Sequence, residues 1–456
     1  MTASVNFKRQ YSIKQLENIF DTYIKSNTAV GIDKMTYKCF FEKKNEYFEL
    51  INKKVYSGAY KFIPYKEKLI VKTRSSYPRL ISIPTIRDKV VLKALHLVLT
   101  ETFDDITQPL PQKCIEDIKS SIHKFDSFIK LDISNFYGSI KHGILLDKLK
   151  KKIKKPEVLS LISKAITTVT VSSGESRSNE IITEGIPQGL AISNVLAHIY
   201  LKDLDLKFKS KKNLEYVRYV DDIIILCSEK NIRKIYEEIR YELEGIYNLH
   251  LNLDKTKLGS IEEVGFDFLG YSVKTLGAGR PKLTVKEANR KRFEDSIVKI
   301  FARYKHSNVM SPEQFIFTLN NKITGAISSK VSGDVSKEFK YGWLFYFSQI
   351  EDTGVLYHLD WFIVELIKKF NLSHIDENSI KSFVKAFYEI KYNLRETGYI
   401  HRPDDLAIVD RKKLLIKIFK ISEQQLKDTY TIEKMYKKLI YQPIKEYEQD
   451  IQGLIS

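Results

Sequence analysis

The string Tyr219-Val220-Asp221-Asp222 lies between two apolar runs, Tyr216-Val217-Arg218 before it and Ile223-Ile224-Ile225-Leu226 after it. This predicts two short strands joined at a tight turn, with two carboxylates at the tip. Asp is a common turn residue for local hydrogen-bonding reasons, so four residues alone also fit a solvated turn. Adjacent carboxylates on a rigid tip have a second use. They can hold divalent cations roughly 3.5–4 Å apart, one activating an attacking hydroxyl and the other stabilising a leaving group. The surrounding sequence decides between these readings.

Two segments provide that context. Phe128-Ile129-Lys130-Leu131-Asp132 reads as an apolar strand ending in a carboxylate, followed by the aromatic pair Phe136-Tyr137 on the turn leading away. Beside the hairpin, Asp132 would complete an anionic pocket with Asp221. Unit charges ~4 Å apart repel by about 4 kcal/mol at an effective dielectric of 20, so such a cluster calls for cations. Oxygen-ligated Mg²⁺ that also takes substrate phosphates is the natural occupant. The second segment, Glu184-Gly185-Ile186-Pro187-Gln188-Gly189, reads as a constrained turn feeding a core helix that starts near Ser193 or Asn194. A glycine-flanked Gln at such a turn can approach a nucleotide closely.

In order and separation these three segments resemble motifs A, B and C of reverse transcriptases. The likeness extends upstream to Gly31-Ile32-Asp33-Lys34-Met35-Thr36 and to Tyr77–Lys89, which resemble fingers motifs of group II intron enzymes. It extends downstream to Asn252–Lys257, similar to motif D, and to Gly265–Tyr271, similar to motif E. The resemblance implies an α+β, right-hand polymerase fold with a small antiparallel palm sheet and an all-α C-terminal extension. The expected divisions are fingers over 1–100, palm with motifs A to E over 101–275, a helical thumb over 276–350 and an α-helical domain over 351–456.

By the same resemblance, Asp132 and Asp221 are the metal ligands, with Asp222 beside them and the Ile133 carbonyl a further ligand. Two Mg²⁺ ions are implied, Mn²⁺ being the alternative. Tyr137 matches the steric gate that selects deoxynucleotides, Gln188 the contact to the nucleotide sugar and Arg79 the triphosphate clamp. Lys72 is the expected second triphosphate contact, with Arg74 its rival. Lys255 matches the motif D lysine proposed to protonate departing pyrophosphate, and Phe268, Leu269, Gly270 and Tyr271 the primer grip.

Composition is consistent with this reading. The 456 residues include 75 Lys and Arg against 57 Asp and Glu, a net charge of +18, with 27 Tyr and 25 Phe. That balance suits a nucleic-acid channel with aromatic platforms. The basic run Lys148–Lys155 reads as a solvated helix face. Three widely spaced cysteines make neither a disulfide framework nor a zinc motif, and Cys227 reads as a packed thiol. No signal pattern or membrane span is evident, so a bacterial cytoplasmic setting without membrane partners is expected. Gly277–Pro281 reads as a boundary, and the pattern from 286 onward as mostly helical.

The version of motif B here, followed by a helical extension, looks most like the defence-associated and abortive-infection reverse transcriptases of bacteria. The implied function is antiphage synthesis of DNA from deoxynucleoside triphosphates on an associated non-coding RNA template, with self-association expected and the C-terminal helices either completing the thumb or serving assembly. Two alternatives stay open: a template-independent, protein-primed DNA polymerase, and a non-catalytic RNA-binding assembly protein.

Overall fold

The computed structural model describes residues 2–71, 78–106, 109–172, 182–277, 279–306, 310–332, 335–447 and 451. The chain divides into two compact units, one of residues 1–110 and 125–258, the other of residues 111–124 and 259–456.

In the first unit, β1 (Tyr65–Ile70) pairs antiparallel with β2 (Arg79–Ile83). The helix Ile86–Thr102 follows, and its start is chemically marked: the Thr85 hydroxyl accepts from the Asp88 N–H. Asp88 in turn accepts from the Thr85 and Tyr60 hydroxyls at 2.8 and 2.7 Å. The Thr85 cap satisfies one of the backbone donors that a helix start leaves open. Next come β3 (Ser127–Asp132) and the short β4 (Thr170–Val171), which pairs parallel with β1.

The helix Ser193–Lys209 buries ten of its residues, and behind it run β5 (Leu214–Tyr219) and β6 (Asp222–Cys227). β6 is buried at every position from Ile223 to Cys227 because it is a central strand, flanked by β5 and β3 in the order β5-β6-β3-β7, where β7 is Lys257–Ser260. Such strands read as continuous apolar runs, which is why Ile223–Leu226 shows no alternation. Burial pushes the Cys227 thiol up to about 11, as expected of a packed thiol. The basic run Lys148–Lys155 is largely paired with acids: Lys148 with Asp203, Lys150 with Asp147, and Lys152 with Asp105.

In the second unit, β8 (Phe266–Phe268), β9 (Tyr271–Thr275) and β10 (Pro281–Val285) form an antiparallel sheet in the order β10-β9-β8. Gly277–Pro281, read as a boundary, therefore joins two strands that pair with each other. Helices Glu287–His306 and Pro312–Thr324 follow as expected. Within the stretch over 276–350, read as mostly helical from 286 onward, β11 (Ala326–Ser332) and β12 (Val335–Tyr341) form a hairpin, besides β10. The β-branched Ile327 and the aromatic Phe339 and Tyr341 suit a pleated strand. The described residues of 351–456 are helical in their regular structure, from Gly354–Lys369 to Gln442–Glu446. Among the described residues, no helix is long and apolar enough to cross a membrane.

Candidate active site

The carboxylates meet through strand register. β3 and β6 pair antiparallel with Asp132 directly opposite Asp222, and β5 and β6 pair with Tyr219 opposite Asp222. Val220 and Asp221 thus form a two-residue link between β5 and β6. Two-residue hairpin links favour positive φ, and Val220 adopts +57°, a conformation seldom taken by a β-branched residue. Directly opposed residues have Cβ atoms roughly 4.5–5.5 Å apart, so the register alone brings the motif A and motif C acids to one end of one sheet.

Electrostatics there favour a cation. Burial pushes Asp222 up to about 6, with the charge of Asp221 adding to it. Burial raises Asp221 as well, with Asp132 adding and Arg79 and Lys255 opposing. Lys255 supplies a positive charge: its Nζ lies 3.2 and 3.1 Å from the two carboxylate oxygens of Asp132. The turn carrying Lys255 is tied to the same residue, since Asn252 N–H donates to the Asp132 carbonyl at 2.8 Å and Ser134 N–H to the His250 carbonyl at 2.8 Å. That pair of bonds brackets an Ile133–Leu251 bridge. In such a bridge the Ile133 carbonyl points away from Leu251. Among the described residues no group of three or more His, Cys, Asp or Glu side chains closes around a point. Mg²⁺ is commonly held by one or two carboxylates, with water and substrate phosphates completing its shell, so the donor set fits that ion.

Tyr137 stands next to these acids. Its hydroxyl donates to Asn194 Oδ1 at 2.5 Å, and burial together with the Asp221 charge keeps the phenol protonated. Asn194 lies in the first turn of the helix after motif B, so gate and motif B are joined by a side-chain hydrogen bond. The motif B turn is also stitched to motif A through its backbone: Ile186 N–H donates to the Tyr137 carbonyl at 2.7 Å and Gly185 N–H to the Ile140 carbonyl at 2.8 Å. His142 adds a side-chain contact, with Nε2 2.7 Å from the Gly185 carbonyl.

On its other side the turn meets β2, where Ser82 N–H donates to the Gln188 carbonyl at 2.7 Å. Gly189 has φ of +100°, and a Cβ there would lie 2.8 Å from Ile81 Cγ2 and 3.0 Å from the Ser82 carbonyl, so the approach requires glycine. A cavity of about 270 Å³ opens beside this junction, with Ser82, Asn135, Thr170, Glu184 and Gln188 in its walls. Arg79 begins β2, and its charge lowers both Asp221 and Tyr137. Lys72 and Arg74 lie outside the described residues.

Phe268, Leu269, Gly270 and Tyr271 belong to the second unit. They form the β8–β9 turn, with φ of +48° at Leu269 and +83° at Gly270, the sign pattern of a type I′ turn. The Leu269 carbonyl accepts from the Tyr346 hydroxyl at 2.8 Å, and the Gly270 carbonyl from Asn289 Nδ2 at 3.0 Å.

Sequence reasoning did not single out Asn194, Ser82 or Arg218. Asn194 is marked in the sequence only as a candidate helix start and Ser82 only as part of Tyr77–Lys89, whereas a lone Arg in an apolar strand is the one signal pointing to Arg218.

Residues 66–273 match the family described as reverse transcriptase (RNA-dependent DNA polymerase) and form a reverse transcriptase domain. The match spans Asp132, Asp221 and Asp222 and supports RNA-directed DNA polymerase activity. Among curated proteins it is 23% identical over 313 residues to Protein YkfC of Escherichia coli, covering 57% of this chain and 80% of YkfC. It is 23% identical over 339 residues to the group II intron-encoded protein LtrA of Lactococcus lactis, covering 58% of this chain and 55% of LtrA. Among solved structures, apo telomerase from Candida tropicalis superposes with a TM-score of 0.43 at 13% identity, covering 98% of this chain and 81% of that one.

Proposed function

We propose that this chain copies an associated non-coding RNA into DNA by two-metal nucleotidyl transfer, in bacterial antiphage defence. The observation that carries the chemistry is the register that opposes Asp132 to Asp222 with Asp221 on the adjoining turn and the Lys255 ammonium on Asp132. The defence role rests on the form of motif B and the helical extension.

In this reading Asp132 and Asp221, with Asp222 beside them and the Ile133 carbonyl, hold two Mg²⁺ ions or Mn²⁺ in their place. The ions supply activation of the primer 3′-hydroxyl and charge stabilisation of the leaving pyrophosphate. Arg79, with Lys72, binds the triphosphate; guanidinium geometry suits bidentate phosphate contact. Gln188 meets the sugar, and the Tyr137 ring occupies the space a ribose 2′-hydroxyl would need. Lys255 releases Asp132 and gives a proton to pyrophosphate. Phe268–Tyr271 hold the primer end. Exposed Tyr357, Trp361, Tyr388 and Tyr392 on the C-terminal helices support self-association.

The test is to purify the protein from cells carrying its native locus, sequence any bound RNA, and add Mg²⁺ and labelled deoxynucleotides with and without ribonuclease. RNA-complementary product that vanishes with the RNA, and is lost by about 1000-fold in Asp221→Ala, is expected. Product that survives ribonuclease and stays attached to protein would overturn templated synthesis.

A further inference from the structure

Three residues before Asp221, β5 carries a guanidinium in the protein interior: the Arg218 side chain is 2% exposed. Facing it are His198 and Asp205, two turns apart on the helix Ser193–Lys209. Asp205 Oδ1 accepts from Arg218 Nε at 2.7 Å and from the Tyr216 hydroxyl at 2.9 Å, and its Oδ2 accepts from Arg218 Nη2. Nη2 also lies 3.3 Å from His198 Nδ1. Burial, reinforced by the Arg218 charge, holds His198 down to about 4, so its ring is neutral and Nδ1 can accept. One guanidinium nitrogen remains, and Nη1 donates to the Val220 carbonyl at 2.8 Å.

That carbonyl belongs to the peptide plane linking Val220 to Asp221. A β-branched residue at φ of +57° is strained, and such conformations persist only where the surroundings over-determine them. The clamp has that character, because the guanidinium is immobilised by a carboxylate on a buried helix and its free end fixes the plane from which Asp221 departs. A buried ion pair is by itself weak evidence of stabilisation, since apolar residues of similar volume often replace one at no loss. Holding the turn gives the pair a reason to be there.

We propose that Arg218, anchored by Asp205, is a positioning residue that locks the strained Val220–Asp221 turn and so aims the Asp221 carboxylate. The inference rests on the polymerase reading for its kinetic consequence, and its metal-binding consequence stands apart from it.

The experiment uses the full chain and compares Arg218→Lys, Asp205→Asn, Val220→Gly and the Arg218→Lys/Val220→Gly pair. Lysine keeps the charge but has a single nitrogen, which cannot span Asp205 and the Val220 carbonyl together. Four quantities are read: the melting transition, kcat and KM on a primer–template, and Mn²⁺ affinity of the free protein by electron paramagnetic resonance. For Arg218→Lys the expected result is a retained melting transition, unchanged KM, kcat lower by about 100-fold, and weaker Mn²⁺ binding. In the Val220→Gly background that loss shrinks to about tenfold or less, because glycine takes positive φ without a clamp.

Wild-type kcat and Mn²⁺ affinity in a folded Arg218→Lys would overturn the proposal, as would a kcat loss of the same size in the Val220→Gly background. If Arg218→Lys does not fold, Asp205→Asn takes its place in the same comparison, since it leaves the guanidinium and removes its anchoring charge. If the wild-type protein makes no DNA, the polymerase reading fails, while the Mn²⁺ comparison still supports or overturns the role of Arg218.

Discussion

At the scale of single residues, the candidate site holds side chains in pairs. The Tyr137 hydroxyl is fixed by Asn194, which would hold its ring rigid in the proposed role of sugar gate. Tyr137→Ala should lower discrimination against ribonucleotides by about 100-fold in the ratio of kcat/KM values, and Asn194→Ala should lower it less; single-nucleotide incorporation with paired dNTP and rNTP measures both. Lys255 is paired with Asp132, 123 residues away, and so occupies the carboxylate a cation would use. Lys255→Met should bind Mn²⁺ more tightly in the absence of substrate yet lower the single-turnover rate by about 100-fold, because the competing ammonium and the proton donor are one group. Both Asp132 and Lys255 were legible in the sequence as members of their motifs, but their contact was not, because no local rule relates residues so far apart.

At the scale of elements, the motif B turn joins the site to its surroundings. It is bonded to the motif A turn on one side and to β2 on the other, and Gly189 allows the second contact. Gly189→Ala should destabilise the protein by about 1–3 kcal/mol, through positive φ and the clash with β2, and should raise KM for the nucleotide; thermal denaturation and steady-state kinetics check the two effects. Turn residues and apolar runs made the β5–β6 hairpin and the helix after motif B readable in advance. The β11–β12 hairpin is not legible in the sequence because its polar run Ser328-Ser329-Lys330 breaks any two-residue period and strong helical patterns precede and follow it.

At the scale of the whole molecule, charge and protonation are unevenly distributed. Residues 351–456 contain 17 Lys and Arg and 17 Asp and Glu, so the net charge of +18 resides in the first 350 residues. In the proposed function, nucleic-acid attraction and its sensitivity to salt are expected of that part of the chain. Burial holds His96, His198 and His401 down to about 4, below the ordinary 6.5. Between those values the unfolded chain binds more protons, so this contribution to stability is complete above pH 6.5 and is lost as pH falls toward 4. The raised Asp221 and Asp222 act in the opposite sense, which makes a difference measurement the useful one. His198→Asn keeps an acceptor near Arg218 and removes the titrating ring. Its urea midpoint should fall less than that of the wild type between about pH 7 and pH 5.

The amino-acid sequence by itself determined the local elements and the chemical cast: the strand ending at Asp132, the Val220–Asp221 link, the glycine-flanked Gln188 and the aromatic after motif A. Periodicity, turn chemistry and charge act over a few residues, so they can be read without a fold. Tertiary structure alone decided that Asp132 faces Asp222, that Lys255 lies on Asp132, and that Arg218 turns inward to Asp205 and Val220. Strand register and the partner of a buried charge are settled by long-range packing, which must satisfy every buried polar group at once and leaves no signature in the neighbouring residues.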